Sequence, residues 1–289
     1  MDQSLHLDSV MESLKSKGGI MEIRDNVFVV TGGGNGIGRE LVLNLLLQGA
    51  LVASVDLNQQ ALEETARLAG AHRQFLSLHV TNITDKESVE KLPDEIIAKH
   101  GKLDGLINNA GIIQPFVNFM ELDNKTIEQV FQVNFFGAMN LTKAFLPYLL
   151  NRPKAHLVNV SSMGGFFPFP GQTIYGASKA ALKLFTEGLY AELLGSNVKV
   201  TIVLPGGIST NITANSGVKM AAHVDENKTP IQLTSPPLAA LKIIKAMKKN
   251  KYKVLIGNDA KLMNILYKFS PRKSIRLVSR LMKKFLSGN

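Results

Sequence analysis

A glycine-dense turn constrains this chain more than any other feature. Thr31-Gly32-Gly33-Gly34-Asn35-Gly36-Ile37-Gly38 follows a short β-branched run, residues 26–31 (NVFVVT). It precedes residues 39–48, whose apolar positions recur at helical spacing before Gly49. Glycines between a strand and a helix let the backbone turn sharply and leave room for a phosphate at the helix N-terminus, where the peptide dipoles favour negative charge. Taken alone, the run also describes a tight strand-to-helix turn. The pattern around it sets the architecture. Strand-like runs at 50–56, 75–80, 105–108, 156–161, 199–204 and 253–256 alternate with helix-like segments. Such alternation marks a parallel sheet covered on both faces. The fold class is therefore α/β, one doubly wound domain of about seven strands flanked by helices over residues 21–258.

Composition removes several chemistries. No cysteine is present, so disulfides, thiolate catalysis and zinc–thiolate sites are excluded, and the chain suits a reducing compartment. His6, His72, His79, His100, His156 and His223 show no HxxxH or HExxH spacing, so no metal site is expected. No apolar run approaches the ~18 residues that span a bilayer, and residues 1–17 mix acids with short apolar stretches, unlike a signal peptide. A cytoplasmic protein is the expectation, with residues 1–20 an N-terminal extension. The net charge of +10 is unevenly placed: residues 240–289 hold 14 Lys/Arg against the single acid Asp259, a net +13. The preceding 239 residues therefore carry −3, and no nucleic-acid partner is expected from the overall charge.

Asp56 ends the second strand, 18 residues after Gly38. A carboxylate there can accept both hydroxyls of a ribose and would repel a 2′-phosphate. Asn35 and Leu57 stand where a 2′-phosphate site would want Arg or Lys, so NAD is expected ahead of NADP. The bland role for Asp56 is a strand-end turn or a helix cap. Tyr175-Gly176-Ala177-Ser178-Lys179 puts a phenol and an ammonium one helical turn apart, on one face. Tyrosine titrates near ~10, so a base working at neutrality needs about 4 kcal/mol of preference for the phenolate. Lys179 and the positive ring of an oxidised nicotinamide are charges that would supply it. Ser162, 13 residues before Tyr175 at a strand end, offers a hydroxyl to a substrate oxygen. An isolated YxxxK is equally a surface pair. Beside the glycine turn, the acid and the serine, it reads as a proton-transfer site.

These residues resemble a known family. TGGGNGIG at 31–38, NNAG at 108–111, Asn134, Ser162, Tyr175 with Lys179, and Pro205-Gly206 with Thr210 look like the short-chain dehydrogenase/reductase family, in order and spacing, over about 22–258. The resemblance implies a Rossmann-type domain and direct hydride transfer without metal. It implies that Ser162 polarises the carbonyl, that Tyr175 exchanges the proton, and that Lys179 lowers the Tyr175 pKa and bonds the nicotinamide ribose. Asn134 would hold a helix kink and a relay water. Gly32, Asn35, Gly36, Ile37, Gly38, Asn108, Ala110, Gly111, Pro205 and Gly206 would contact the cofactor, with Val80 at the adenine and Ile208 and Thr210 at the carboxamide. His79 replaces the family's usual strand-end aspartate, either reaching the adenine edge or standing in solvent. A homodimer or homotetramer through long helices at 126–150 and 175–194 is implied as well.

Residues 163–170, MGGFFPFP, run between Ser162 and Tyr175, where the resemblance implies that the chain passes the substrate. Phe166 and Phe167, with Met163 and Phe169, are expected to form an apolar wall, and Ile112, Ile113, Phe116 and Phe119 point the same way. The alternative is that some rings pack in the core or against a subunit. A hydrophobic secondary alcohol or ketone, lipid-, steroid- or retinoid-like, is the expected substrate. A 3-oxoacyl-thioester reductase using NADPH is the rival, with Asp56 against it. A non-catalytic nucleotide-binding scaffold is the other, with Ser162, Tyr175 and Lys179 against it. Residues 211–233 would form a lid over the substrate. Beyond 258, residues 259–289 form a basic tail of two helices, 261–269 and 272–286, broken at Ser270-Pro271. In the second, Ile275, Val278, Met282 and Phe285 form a stripe opposite Arg276, Arg280, Lys283 and Lys284. Such a helix either lies on an anionic membrane surface or packs its stripe on a subunit.

Overall fold

Every side chain of Val27–Thr31 is β-branched or aromatic and every one is buried, as a central strand covered on both faces requires. In the computed structural model, which describes residues 21–210, 212, 216 and 233–286, this segment is β1. The expected extension at 1–20 and nearly all of the expected lid lie outside the described residues. The chain continues through α1 (Gly36–Leu47), β2 (Leu51–Asp56), α2 (Gln59–Leu68), β3 (Leu76–Val80), α3 (Lys86–His100) and β4 (Gly105–Asn108). It then forms α4 (Asn124–Phe131), α5 (Ala138–Leu150), β5 (Ala155–Val160), α6 (Thr173–Glu192), β6 (Val198–Pro205), α7 (Pro236–Lys248) and β7 (Lys253–Ile256). Two last helices, α8 (Asn258–Phe269) and α9 (Pro271–Leu286), complete it.

The seven strands form one sheet in the order β3-β2-β1-β4-β5-β6-β7, and each neighbouring pair is parallel. Strand alternation sends Val27 and Val29 into one layer with Val89, Leu92 and Ile96 of α3 and Leu141, Phe145 and Leu149 of α5. Phe28 and Val30 enter the other layer with Leu41 and Leu45 of α1 and Ile243 and Met247 of α7. The strand order reverses between β1 and β4, which opens a crevice at their carboxyl ends.

One segment differs from the reading of the sequence, and one open alternative is resolved. The expected helix over 126–150 is broken by a π-helical turn, Gln132–Gly137, between α4 and α5. The two helices expected beyond 258 are present, and of the two alternatives for the tail the packing one is seen on its own chain. Ala260 is buried, the Tyr267 ring lies 5.5 Å from that of Phe167, and Ser274 and Val278 are buried. Val278 and Met282 of the α9 stripe therefore face their own chain, while Arg272, Arg276 and Arg280 face outward. Among the described residues no helix is long and apolar enough to cross a membrane, and no three His, Cys, Asp or Glu group as a metal site would.

Candidate active site

A cleft of about 1320 Å³ occupies the crevice. Its floor is built by the turn after β1. Gly32 and Gly36 take positive φ, 67° and 51°, which glycine adopts without strain. A Cβ on Gly38 would collide with the carbonyl oxygen of Gly32, so helix and turn pack at backbone contact. The N-terminus of α1 has no side-chain cap and no acid in its first turn. Its free N–H groups and dipole stand open to the cleft, which suits a pyrophosphate. Thr31 locks this turn to the loop after β4. Its Oγ1 accepts from Asn109 N (3.0 Å) and Ala110 N (3.1 Å), and its carbonyl accepts from Asn109 Nδ2 (3.0 Å).

Asp56 lines the cleft at the end of β2 and accepts Gly34 N–H at 3.0 Å and Asn58 N–H at 3.0 Å. A carboxylate has about four acceptor positions, so two bonds leave capacity for ribose hydroxyls. Among the described lining residues Lys179 is the only Lys or Arg, whereas Asp56 and Glu63 are both acids. Arg39 sits close by, but its guanidinium is held by Thr65 Oγ1 (3.1 Å) and the Gly34 carbonyl (2.6 Å).

The reacting groups come from β5 and α6. Ser162 follows β5, takes Gly164 N–H on its hydroxyl at 3.0 Å, and hydrogen-bonds the Tyr175 hydroxyl. Burial raises Tyr175 above its ordinary value, and the Ser162 bond only partly offsets this. The phenolate that the sequence suggested is thus not favoured by the protein alone, because desolvation outweighs the hydroxyl. Lys179, one turn on, is buried, and its Nζ donates to the Val160 carbonyl at 3.1 Å. Burial lowers it from 10.5 to about 8. A Cβ on Gly111 would stand 2.9 Å from that Nζ and 3.1 Å from Asn134 Oδ1, so glycine is what lets both groups lie close under this loop.

Asn134 sits in the π-helical turn, fully buried. It accepts Ile112 N–H at 2.8 Å and donates to the Ile112 carbonyl (2.9 Å) and Ser178 Oγ (3.0 Å). Bonding a distant loop in this way fits the extra residue of a π turn. Gln114, which the sequence did not single out, positions Tyr175. Its Oε1 accepts both Ile174 N–H (2.8 Å) and Tyr175 N–H (3.0 Å) at the start of α6. Asp259 was missed too: it lies beyond the expected domain end, yet its Oδ2 holds Gly207 N–H at 2.6 Å beneath the Pro205–Gly206–Gly207 wall. No local motif announces either residue.

Gly32, Asn35, Gly36, Ile37, Asp56, Ala110, Gly111, Ser162, Tyr175, Lys179, Pro205, Gly206, Ile208 and Thr210 all line the cleft. Gly38, Val80 and Asn108 do not. Gly38 is buried behind the turn, and Val80 is exposed at the end of β3. Asn108 turns into the core, donating to Asn159 Oδ1 at 2.8 Å, and its neighbour Asn109 faces the cleft instead. Phe166 and Phe167 are also off the wall. Phe167 is fully buried between Phe169 and Tyr267, while Met163, Phe169, Ile112, Ile113 and Phe116 supply the apolar lining, joined by Met282 of α9. Phe119 is exposed outside it. His79 neither reaches the cleft nor stands in solvent. Its Nε2 lies 2.9 Å from Ser77 Oγ and its Nδ1 3.8 Å from Glu95 on α3, with burial holding it below the usual value.

Comparison with known proteins agrees with this geometry. A family model described as short chain dehydrogenase matches residues 26–221. A Mycobacterium tuberculosis protein named as an oxidoreductase, SadH, is 36% identical over 265 residues, covering 90% of this chain and 96% of its own. A solved short-chain dehydrogenase from Burkholderia cenocepacia, in complex with NADP, superposes with a TM-score of 0.75 at 26% identity over 89% of this chain and 99% of its own. One from Burkholderia phymatum, in complex with NAD, shares the fold with a TM-score of 0.74 at 24% identity over 86% of this chain and 96% of its own.

Proposed function

Because this chain belongs to the short-chain dehydrogenase/reductase family, whose members are oxidoreductases of CH–OH groups, we propose that it interconverts a hydrophobic secondary alcohol and its ketone with NAD(H). The carrying observation is the trio at one end of the cleft: Ser162 bonded to Tyr175, with buried Lys179 one turn below. The open helix N-terminus, the glycine turn and Asp56 fit a nicotinamide dinucleotide. When bound, that cofactor supplies the hydride acceptor or donor and, oxidised, a positive ring. Ser162 would orient the substrate oxygen, and the Tyr175 phenol would give or take the proton there. Its raised pKa keeps the phenol protonated at neutral pH, ready to donate to a carbonyl. Asn134 would keep Lys179 and the loop after β4 in register. Met163, Phe169, Ile112, Ile113, Phe116 and Met282 favour an apolar substrate, since polar groups there would lose water without partners.

The preference for NAD rests on charge. A 2′-phosphate near Asp56 would meet Glu63 as well and, among the described residues, no free cation. NADH is expected to bind about tenfold or more tightly than NADPH, a difference of about 1.4 kcal/mol, when each is titrated by nicotinamide fluorescence. Tighter NADPH binding would mean that Asp56 turns away from the ribose, and would favour the acyl-thioester reductase instead.

A homo-oligomer is part of the reading. Leu184 and Tyr190 of α6, with Phe136 in the π turn and Leu150 of α5, are large apolar residues left exposed on the long helices. Light scattering is expected to give a dimer or tetramer that Leu184→Glu weakens; a wild-type monomer would remove this element.

A further inference from the structure

Val278 and Met282 hold α9 to its own chain, so these residues of the apolar stripe are used in packing. A different set of apolar residues is left outside. On α8, Leu262, Ile265 and Phe269 recur at spacings of three and four, and each is at least half exposed, Phe269 by 85%. On α9, Leu277 and Leu281 stand one turn apart and are likewise exposed. Neither group fixes its helix, since Ala260 and Tyr267 anchor α8, and Ser274, Val278 and Met282 anchor α9.

Cations surround these residues. Lys261, Lys268, Arg272, Lys273, Arg276 and Arg280 are all exposed. Between residues 260 and 289 the chain has eight Lys/Arg and no acid. The nearest acid, Asp259, is turned inward onto Gly207 N–H. We propose that the outward faces of α8 and α9 form a docking surface for an anionic lipid bilayer, next to the cleft that Met282 helps to line.

Charge complementarity selects this occupant. Among the described residues, a two-fold contact between copies through this face would set six exposed cations against six, from a segment whose sequence holds no acid after Asp259. A nucleic acid would welcome the cations but gains nothing from burying Leu262, Ile265 and Leu281 against phosphates. An anionic bilayer rewards both, through headgroups for the basic residues and the acyl boundary for the apolar ones. The inference does not rest on the alcohol reading.

Full-length protein sedimented with phosphatidylcholine vesicles, with and without phosphatidylglycerol, tests it. Binding is expected only with phosphatidylglycerol and is expected to weaken as salt rises. Leu262→Ser/Ile265→Ser/Phe269→Ser and, separately, Arg276→Glu/Arg280→Glu should each lower vesicle affinity by about tenfold or more. NADH binding, read in the same samples, should stay unchanged and shows that each variant is folded. Should the serine variant fail to fold, the arginine variant decides. Equal binding to neutral vesicles, or none to either, would overturn the proposal. So would a wild-type oligomer that the serine variant dissolves without any vesicle binding, since a second copy would then cover the patch.

Discussion

Tyr175→Phe is expected to lower kcat/KM by about 10²–10⁴-fold in both directions of the reaction while leaving NADH affinity and melting temperature near those of the wild type. The ring stays, so packing at the start of α6 and the N–H bond to Gln114 survive. Only the hydroxyl that Ser162 touches is removed. Without it a ketone oxygen gains its hydride-derived charge with no proton donor in reach, and an alcohol has no acceptor. The pH profile adds a second reading. Burial raises Tyr175, so oxidation, which needs the phenolate, should quicken as pH rises, and reduction, which needs the phenol, should hold through neutrality and fall at alkaline pH. In the variant both slopes should vanish. A variant that kept a tenth or more of wild-type turnover would exclude Tyr175 as the proton-transfer group.

Which parts of this were legible in the sequence follows from how far each determinant reaches along the chain. Parallel strands buried on both faces read as apolar runs, so β1 to β7 were visible within a residue or two. Ser162, Tyr175 and Lys179 were visible because one strand end and one helical turn place them. The π turn was not, because Gln132–Gly137 carries ordinary helical patterning and its break is tied to Ile112, 22 residues earlier. Asn108 and Asn109 were exchanged because alternation sends adjacent residues to opposite faces, and only the end of β4 says which one meets the cleft. The direction of Phe167 is not legible locally, because its ring packs on Tyr267, a hundred residues later. Gln114 and Asp259 act through hydrogen bonds that reach across the fold, a kind of information that no local spacing carries.

Lys179→Met is expected to move turnover and stability in opposite directions. Burial draws the ammonium from 10.5 to about 8, which corresponds to about 3 kcal/mol against the charged form. The folded value lies below the unfolded one. At any pH below about 8 both states therefore hold the proton and the folded state bears the whole cost. Between about 8 and 10.5 only the unfolded chain still binds it, so stability recovers as pH rises. Methionine fills much the same volume without the charge. Losing the bond to the Val160 carbonyl returns about 1 kcal/mol, which leaves a net gain of about 2 kcal/mol at pH 7. For a domain of this size that gain raises Tm by roughly 4–8 °C, and the advantage over wild type should shrink as pH is raised towards 10. Turnover should meanwhile fall by about 10²-fold or more, since among the described residues no other Lys or Arg lines the cleft beside Tyr175. A variant less stable than wild type at pH 7 would show that the folded protein compensates this charge and that Lys179 belongs to the scaffold. A more stable and inactive one would show that the fold carries an uncompensated ammonium because the chemistry at Tyr175 needs it there.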